Sequence, residues 1–578
     1  MTGGEQIADV LVAQGVRFLF TLCGGHISPI LVAAKNRGIR VIDVRHEATA
    51  VFAADAVARL SGVPGVAAVT AGPGVTNTVT ALKNAQMAQT PVVLLGGATA
   101  TLLKGRGALQ DIDQMALVKP HVKRASTVSR VRDLGPELER AFRAAQDGVP
   151  GPTFLECPVD LLYDESVVRD WYRTASPTGA AKSMSSWIRQ RYINRHLDRL
   201  FAGAGEQRPS QRVAPRVPRL AKSDVGRAAT HLARAQRPVL MLGSQVMLPT
   251  ATADDLAEAI ARLGVPVYLS GMARGLLGRT HPLLLRHRRR EALREADLVI
   301  LAGVPCDFRL GYGRNINRQA VVLSANRSRR DMMMNRRPTF GVVGDPAEFI
   351  RRLADAAPRD GSAGTTWLET LRDRDREREQ QIESQCKQET SHINPLALCR
   401  SINHAMDDDS VLVLDGGDFV ASSSYITAPR SPLSSLDPGP FGTLGVGAGF
   451  AIGAKLCRPS AEVWLLYGDG SAGFSLTECD TFVRHQLPVI GVVGNDACWS
   501  QIAREQKKIL KDDVGTVLRN TDYHRVAEGY GAVGFEVEDP EEVDGVLARA
   551  KSIAKAGSPV IVNARIGETD FRSGSISI

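Results

Sequence analysis

No two cysteines in this 578-residue chain stand in a CxxC arrangement, and none shares metal-ligand spacing with a histidine. The eight cysteines are scattered singly, which excludes a short disulfide framework and a zinc ribbon and predicts a reducing compartment. No apolar run reaches the roughly 18 residues needed to cross a bilayer. Met1 runs through Gly3-Gly4 into an amphipathic helical pattern with no signal-peptide signature. A cytoplasmic location is the expectation. No internal repeat is visible, and neither the Gly243 nor the Gly303 turn carries a full GxGxxG fingerprint. Acidic residues are scarce in the segment around 182–222. Between Lys182 and Lys222 ten Lys/Arg face two acids, so that segment carries nearly all of the chain's net charge of +9. The remainder is close to neutral, which argues against a nucleic-acid partner and for a small-molecule enzyme.

What is present is an alternation of apolar strands and helical segments, too long for one core. Residues 1–165 read as a first α/β unit, with strand signals at 16–22, 66–70, 91–95 and 152–158. Residues 166–222 break the rhythm as a basic insert. Within it, 187–201 has helical spacing, with Ile193, Leu197, Leu200 and Phe201 on one side and Arg191, Arg195 and Arg199 on another. That pattern fits a helix docked on the protein, or an interfacial helix on an anionic membrane or a partner. Residues 223–355 form a second α/β unit, with strands running into Gly243 and Gly303. Residues 356–392 read as a charged, solvated linker helix, and 393–578 as a third α/β unit. The predicted fold is α/β, with three doubly wound parallel-sheet domains.

Chemistry concentrates at strand ends. Val463-Trp464-Leu465-Leu466-Tyr467 leads into Gly468-Asp469-Gly470-Ser471, and a second apolar run leads into Asn495-Asp496. Two buried parallel strands of this kind deliver polar groups to the sheet edge where ligands bind. Asp469 and the 495–496 pair would offer hard oxygen ligands suited to Mg²⁺, and the glycines would admit a diphosphate. A Gly-Asp-Gly turn alone is also an ordinary turn. Two distant motifs accompany it: Arg45-His46-Glu47 with Ala53-Ala54-Asp55-Ala56, and Ala71-Gly72-Pro73-Gly74-Val75-Thr76-Asn77. Together the three resemble, in order, the signature of the thiamine-diphosphate-dependent superfamily that holds acetolactate synthases and 2-hydroxyacyl-CoA lyases. The likeness covers nearly the whole chain. It is nearest to the acyl-CoA lyase branch, through stretches such as Cys306-Asp307-Phe308-Arg309-Leu310-Gly311-Tyr312-Gly313.

The resemblance implies thiamine diphosphate and Mg²⁺ as cofactors and pyrimidine-binding, central Rossmann-like and diphosphate-binding domains. Glu47 matches the glutamate that bonds the pyrimidine ring; a helix N-terminal glutamate is the plain alternative. Gln110 matches the loop residue near the reacting carbon. His26, after Gly24-Gly25, is an acid/base candidate with a structural alternative. Asp469, Asp496 and the backbone carbonyl of Cys498 match the metal ligands; Asp496 departs from the commoner asparagine, and the Cys498 thiol is too soft for Mg²⁺. Gly25, Asn77, Gly416, Gly417, Asp418, Gly468, Gly470 and Ser471 match cofactor contacts, and Leu444 the apolar wedge beneath the cofactor, or else a core leucine. The implied activity is cleavage of a 2-hydroxyacyl-CoA to an aldehyde and formyl-CoA. The alternatives are an acetolactate synthase-like carboligase acting on 2-oxoacids and a silent scaffold using the basic insert. In this superfamily the central domain holds FAD in many acetolactate synthases and an adenine nucleotide (ADP or CoA) in acyl-CoA members. Without a full fingerprint at the Gly243 or Gly303 turn FAD is not supported, and an adenine nucleotide (ADP or CoA) is the remaining candidate. A homodimer or homotetramer with shared active sites is also implied; peripheral membrane contact through 187–201 is the expectation that the basic amphipathic spacing, not the resemblance, leaves open.

Overall fold

The computed structural model describes residues 2–174, 184–205, 209–249, 252–357 and 365–574. Parts of the basic insert (175–183 and 206–208) and the start of the charged linker (358–364) lie outside the described residues. The chain divides into two compact units, residues 1–58 with 63–216, and 59–62 with 217–578.

The first unit holds a six-stranded sheet. Its strands are β1 (Phe18–Leu22), β2 (Arg40–Asp43), β3 (Gly65–Val69), β4 (Val92–Ala98), β5 (Arg124–Thr127) and β6 (Thr153–Pro158), in the order β2-β1-β3-β4-β6-β5. Its pairings are all parallel. Strands β3, β4 and β6 are buried along their whole length, as continuous apolar runs covered by helices on both faces must be. Part of the basic insert joins this unit. The helix Met184–Phe201 sinks Leu197, Leu200 and Phe201 into the same core as Leu11, Leu134 and Phe142, with Ile193 packed against it. The side that periodicity marks as apolar is therefore docked.

The second unit carries two more sheets. One comprises β7 (Pro238–Leu242), β8 (Val267–Leu269), β9 (Leu284–Leu285), β10 (Leu298–Ala302), β11 (Val321–Asn326) and β12 (Phe340–Val343), ordered β12-β11-β10-β7-β8-β9. Read from the other edge this is the 3-2-1-4-5-6 order of the dinucleotide-binding fold. The other comprises β13 (Val411–Leu414), β14 (Ser435–Leu436), β15 (Val463–Gly468), β16 (Ile490–Asn495), β17 (Val533–Val537) and β18 (Val560–Arg565), ordered β14-β13-β15-β16-β18-β17. Counted along its own segment, its order is that of the first sheet, 2-1-3-4-6-5.

The charged linker helix, Thr365–Cys386, is not simply solvated. Trp367 and Leu371 sit in the central-domain core, and Ile382 in the third-domain core. The indole of Trp367 donates to the Pro238 carbonyl at 3.2 Å. Glu379 accepts from His287 at 2.8 Å and from Arg400 at 2.6 Å. Three apolar side chains in a charged stretch are too few for a periodic signal, yet they suffice to seat the helix.

Candidate active site

Each outer sheet reverses its order beside its first strand, between β1 and β3 and between β13 and β15. The crevice beyond the carboxyl ends of two such strands is where open α/β sheets bind ligands. The motif residues of the first unit fall there. Glu47 opens the helix Glu47–Ser61 just after β2, and His46 Nδ1 accepts from the Ala48 amide at 3.1 Å, an architectural role. Glu47 is buried, and its Oε2 accepts from the Asn77 side-chain amide at 2.9 Å. Two distant motifs thus meet in one hydrogen bond, which orients the carboxylate.

His26 follows β1, with Nδ1 3.1 Å from the Thr70 hydroxyl. Burial holds its imidazole pKa below the usual value, so it is neutral at pH 7. Gly24 is the glycine this corner requires, since a Cβ there would lie 2.4 Å from Thr70; at Gly25 a Cβ would meet open space. Gln110 adopts a left-handed backbone, φ +63°, which a non-glycine residue holds only where its surroundings impose it. Its close neighbour is Gly72, φ +64°, where the lack of a Cβ makes room: one would lie 2.9 Å from both the Cβ and the carbonyl oxygen of Gln110. Buried Gln114 holds Gly72 in place. It accepts from the Gly72 amide at 2.9 Å and donates to Gly97 and Glu156, each at 3.0 Å. Thr70 and Gln114 were not singled out in the sequence. Nothing in a lone threonine or glutamine marks it as a brace.

The third domain gathers the other half. Gly416, Gly417 and Asp418 follow β13. Gly468, Asp469, Gly470 and Ser471 close β15, and Asp496 to Cys498 follow β16. The Gly468 amide donates to the Gly416 carbonyl at 3.1 Å, and the Ser471 hydroxyl donates to Gly416 and Gly468 carbonyls at 3.0 Å. The Cys498 amide donates to Asp469 Oδ2 at 3.2 Å, so the two metal-motif loops touch. Ala497 is left-handed, φ +54°, and turns the chain between Asp496 and Cys498. The Asp418 carboxylate is held by Arg504. Leu444 lies against Gly416, where a Cβ would come within 2.2 Å of its Cδ2, and the Trp499 ring covers Gly470 equally closely.

The electrostatics fit a cation. Burial, reinforced by Asp496, pushes the Asp469 carboxyl up to about 7. Burial, reinforced by Asp418 against a hydrogen bond from Ser500, pushes Asp496 up to about 6. Among the described residues neither is paired with Lys, Arg or His. Two buried carboxylates with raised pKa values, lacking a protein counter-charge among the described residues, are a hard-cation donor set. Sequence reading passed over Asp415. It is fully buried at the end of β13, and its two oxygens accept from the amides of Gly445 (2.9 Å) and Gly447 (2.7 Å), flanking the loop that carries Leu444. Its place between an apolar strand and Gly416-Gly417 was the available signal.

Comparison with known proteins agrees with this geometry. Family models described as "Thiamine pyrophosphate enzyme" match as the N-terminal TPP binding domain over 1–117, the central domain over 225–353 and the C-terminal TPP binding domain over 415–564. The chain belongs to the thiamine pyrophosphate enzyme family. Within that family it is 50% identical over 584 residues to "2-hydroxyacyl-CoA lyase 2" of Danio rerio, covering 100% of this chain and 93% of the relative. The Homo sapiens protein of the same name is 50% identical over 588 residues, covering 100% and 92%. A "Probable acetolactate synthase" of Mycobacterium bovis is 34% identical over 567 residues, covering 97% and 95%. This thiamine pyrophosphate enzyme thus has the family's α/β architecture in three sheets, and binding domains for the cofactor at both ends.

Proposed function

We propose that the chain is a thiamine-diphosphate- and Mg²⁺-dependent lyase that cleaves a 2-hydroxyacyl-CoA, R–CH(OH)–CO–SCoA, to the aldehyde R–CHO and formyl-CoA. Full-length identity of about 50% to proteins named 2-hydroxyacyl-CoA lyase 2 carries the substrate class. When bound, the cofactor supplies the carbon centre that accepts the electron pair of the broken C–C bond.

The residues have distinct tasks in this reading. Asp469, Asp496 and the Cys498 carbonyl hold the cation. Gly416, Gly417, Asp418, Gly468, Gly470 and Ser471 line the diphosphate, and Leu444 supports the middle of the cofactor. Glu47, oriented by Asn77, bonds the pyrimidine nitrogen. Neutral His26, beside Gly25, has a lone pair or a proton to exchange with the substrate hydroxyl. Gln110, held in its left-handed turn, orients the carbonyl. The two half-sites lie in separate compact units, and we propose a homodimer or homotetramer in which subunits share active sites. The 3-2-1-4-5-6 order of the central sheet favours an adenine nucleotide there, ADP or the CoA moiety. Eight unpaired thiols suit a cytoplasmic enzyme.

A carboligase acting on 2-oxoacids is the second reading, favoured by the 34% identity to an acetolactate synthase. Incubating the purified protein, Mg²⁺ and cofactor with a 2-hydroxyacyl-CoA and, separately, with pyruvate, followed by mass spectrometry, tests both. Formyl-CoA in the first mixture supports the lyase. Acetolactate in the second with no formyl-CoA in the first overturns it.

A further inference from the structure

The docked helix of the basic insert has a second face. Its inward side ends in Leu197, Leu200 and Phe201, but Met184, Trp187, Ile188 and Tyr192 point away from that core and are 74%, 58%, 55% and 60% exposed. Four large apolar side chains on one stretch of helix are not the scattered single hydrophobes of an ordinary surface. Arginines interleave with them. Positions 188, 191, 195 and 199 follow one stripe at three- and four-residue spacing, and three of the four are Arg191, Arg195 and Arg199. Arg191 stacks over the Trp187 ring at 5.3 Å.

Among the described residues the face has almost no compensating negative charge. Asp198 is the helix's single acid, and Arg169 of the preceding helix, Glu165–Thr174, takes up both Asp198 (2.8 Å) and Glu165 (2.7 Å). A solvated helix face would carry both signs. Here, aromatic and aliphatic tips stand among uncompensated arginines, with the opposite face fixed in a protein core.

We propose that the outward face of the helix Met184–Phe201 docks on an anionic phospholipid surface. Charge complementarity selects that occupant. Trp187 and Tyr192 suit the headgroup layer, where one side of the ring is apolar and the other wet. Met184 and Ile188 enter the acyl boundary, and the arginines meet lipid phosphates bidentately. Because the helix is anchored by its other face, it docks already folded and gains nothing from helix formation.

Co-sedimentation of the full chain with vesicles tests this. The wild type should pellet with phosphatidylcholine:phosphatidylglycerol (7:3) vesicles, remain in the supernatant with phosphatidylcholine alone, and be released by 0.5 M NaCl. The Trp187→Ala/Tyr192→Ala variant should bind the anionic vesicles at least tenfold more weakly, and Arg191→Gln/Arg195→Gln/Arg199→Gln should lose the preference for them. Circular dichroism and light-scattering mass of both variants should match the wild type. No pelleting of the wild type with anionic vesicles overturns the proposal, as does unchanged binding by both variants. A fall in oligomer mass in the aromatic variant overturns it too, because it would assign the face to a contact between copies of the chain.

Discussion

The first and third domains share one strand order, 2-1-3-4-6-5, and both place their motifs at the same reversal point, yet the two sites are built from opposite electrostatics. In the first domain the buried carboxylate of Glu47 is hydrogen-bonded by a neutral amide, and the other candidates, His26 and Gln110, are neutral. In the third domain Asp415, Asp469 and Asp496 crowd one sheet edge. Asp415 is also pushed up to about 7, by burial against the opposing pull of two backbone amides. In the proposed reading the same strand order serves a proton-handling site in one domain and a cation-anchoring site in the other, through different strand-end side chains. The central sheet is the third case. At its own reversal point, between β7 and β10, the backbones close on each other: a Cβ at Gly243 would lie 2.4 Å from the Gly303 carbonyl, and Gly303 has φ +69°.

Exchanging roles between the outer domains should break the comparison most visibly. Glu47→Gln should lower kcat by at least about 10²-fold, the scale of one acid–base group, while cofactor binding by tryptophan quenching stays unchanged. Full turnover in that variant would remove Glu47 from the chemistry. Asp469→Asn should do the reverse, weakening Mg²⁺-dependent cofactor binding at least about tenfold, on the scale of a lost metal ligand or its support. In contrast, Asp496→Asn, which keeps an oxygen ligand, should cost only a few-fold in a Mg²⁺ titration.

Asp415 sharpens the comparison as a positioning residue. Asp415→Ala leaves two buried amides, those of Gly445 and Gly447, without their acceptor and should cost about 2–3 kcal/mol of stability in urea unfolding. The same variant should weaken cofactor binding, since the Leu444 loop loses its brace. Equal cofactor affinity in the folded variant would confine Asp415 to stability.

The smallest effect concerns the seam between the central and third domains. Burial alone would raise the Glu379 pKa, but hydrogen bonds from His287 and Arg400 and the charge of Arg286 hold it near 2, against a normal value of 4.5. A depressed acid stabilises the fold above its unfolded pKa and loses that contribution as pH falls. Glu379→Gln should therefore be less stable than wild type at pH 7 by chemical denaturation. The gap should begin to close below about pH 4.5 and continue closing toward pH 2. A gap that widens on acidification would contradict the assignment.

Much of the site was legible because its chemistry is local. Gly468-Asp469-Gly470-Ser471 and Arg45-His46-Glu47 each sit at the end of an apolar strand, and a strand end in a parallel sheet is already an address. The seat of the linker helix was not legible, because Trp367, Leu371 and Ile382 form no periodic stripe in a charged run. The braces Thr70 and Gln114 were also hidden, since each works through a residue far away in sequence, whereas Asp415 carried a strand-end signal.

Sequence alone determined the three α/β segments, the family signature and the residue types at the sheet edges, because strand burial and turn chemistry depend on near neighbours. Tertiary structure decided which carboxylates share a dielectric, which amide orients Glu47, why Gln110 holds a left-handed turn, and which face of the basic helix is left outside. Those outcomes arise from contacts between segments scores of residues apart. Only the closed fold brings them within hydrogen-bonding or Coulombic reach.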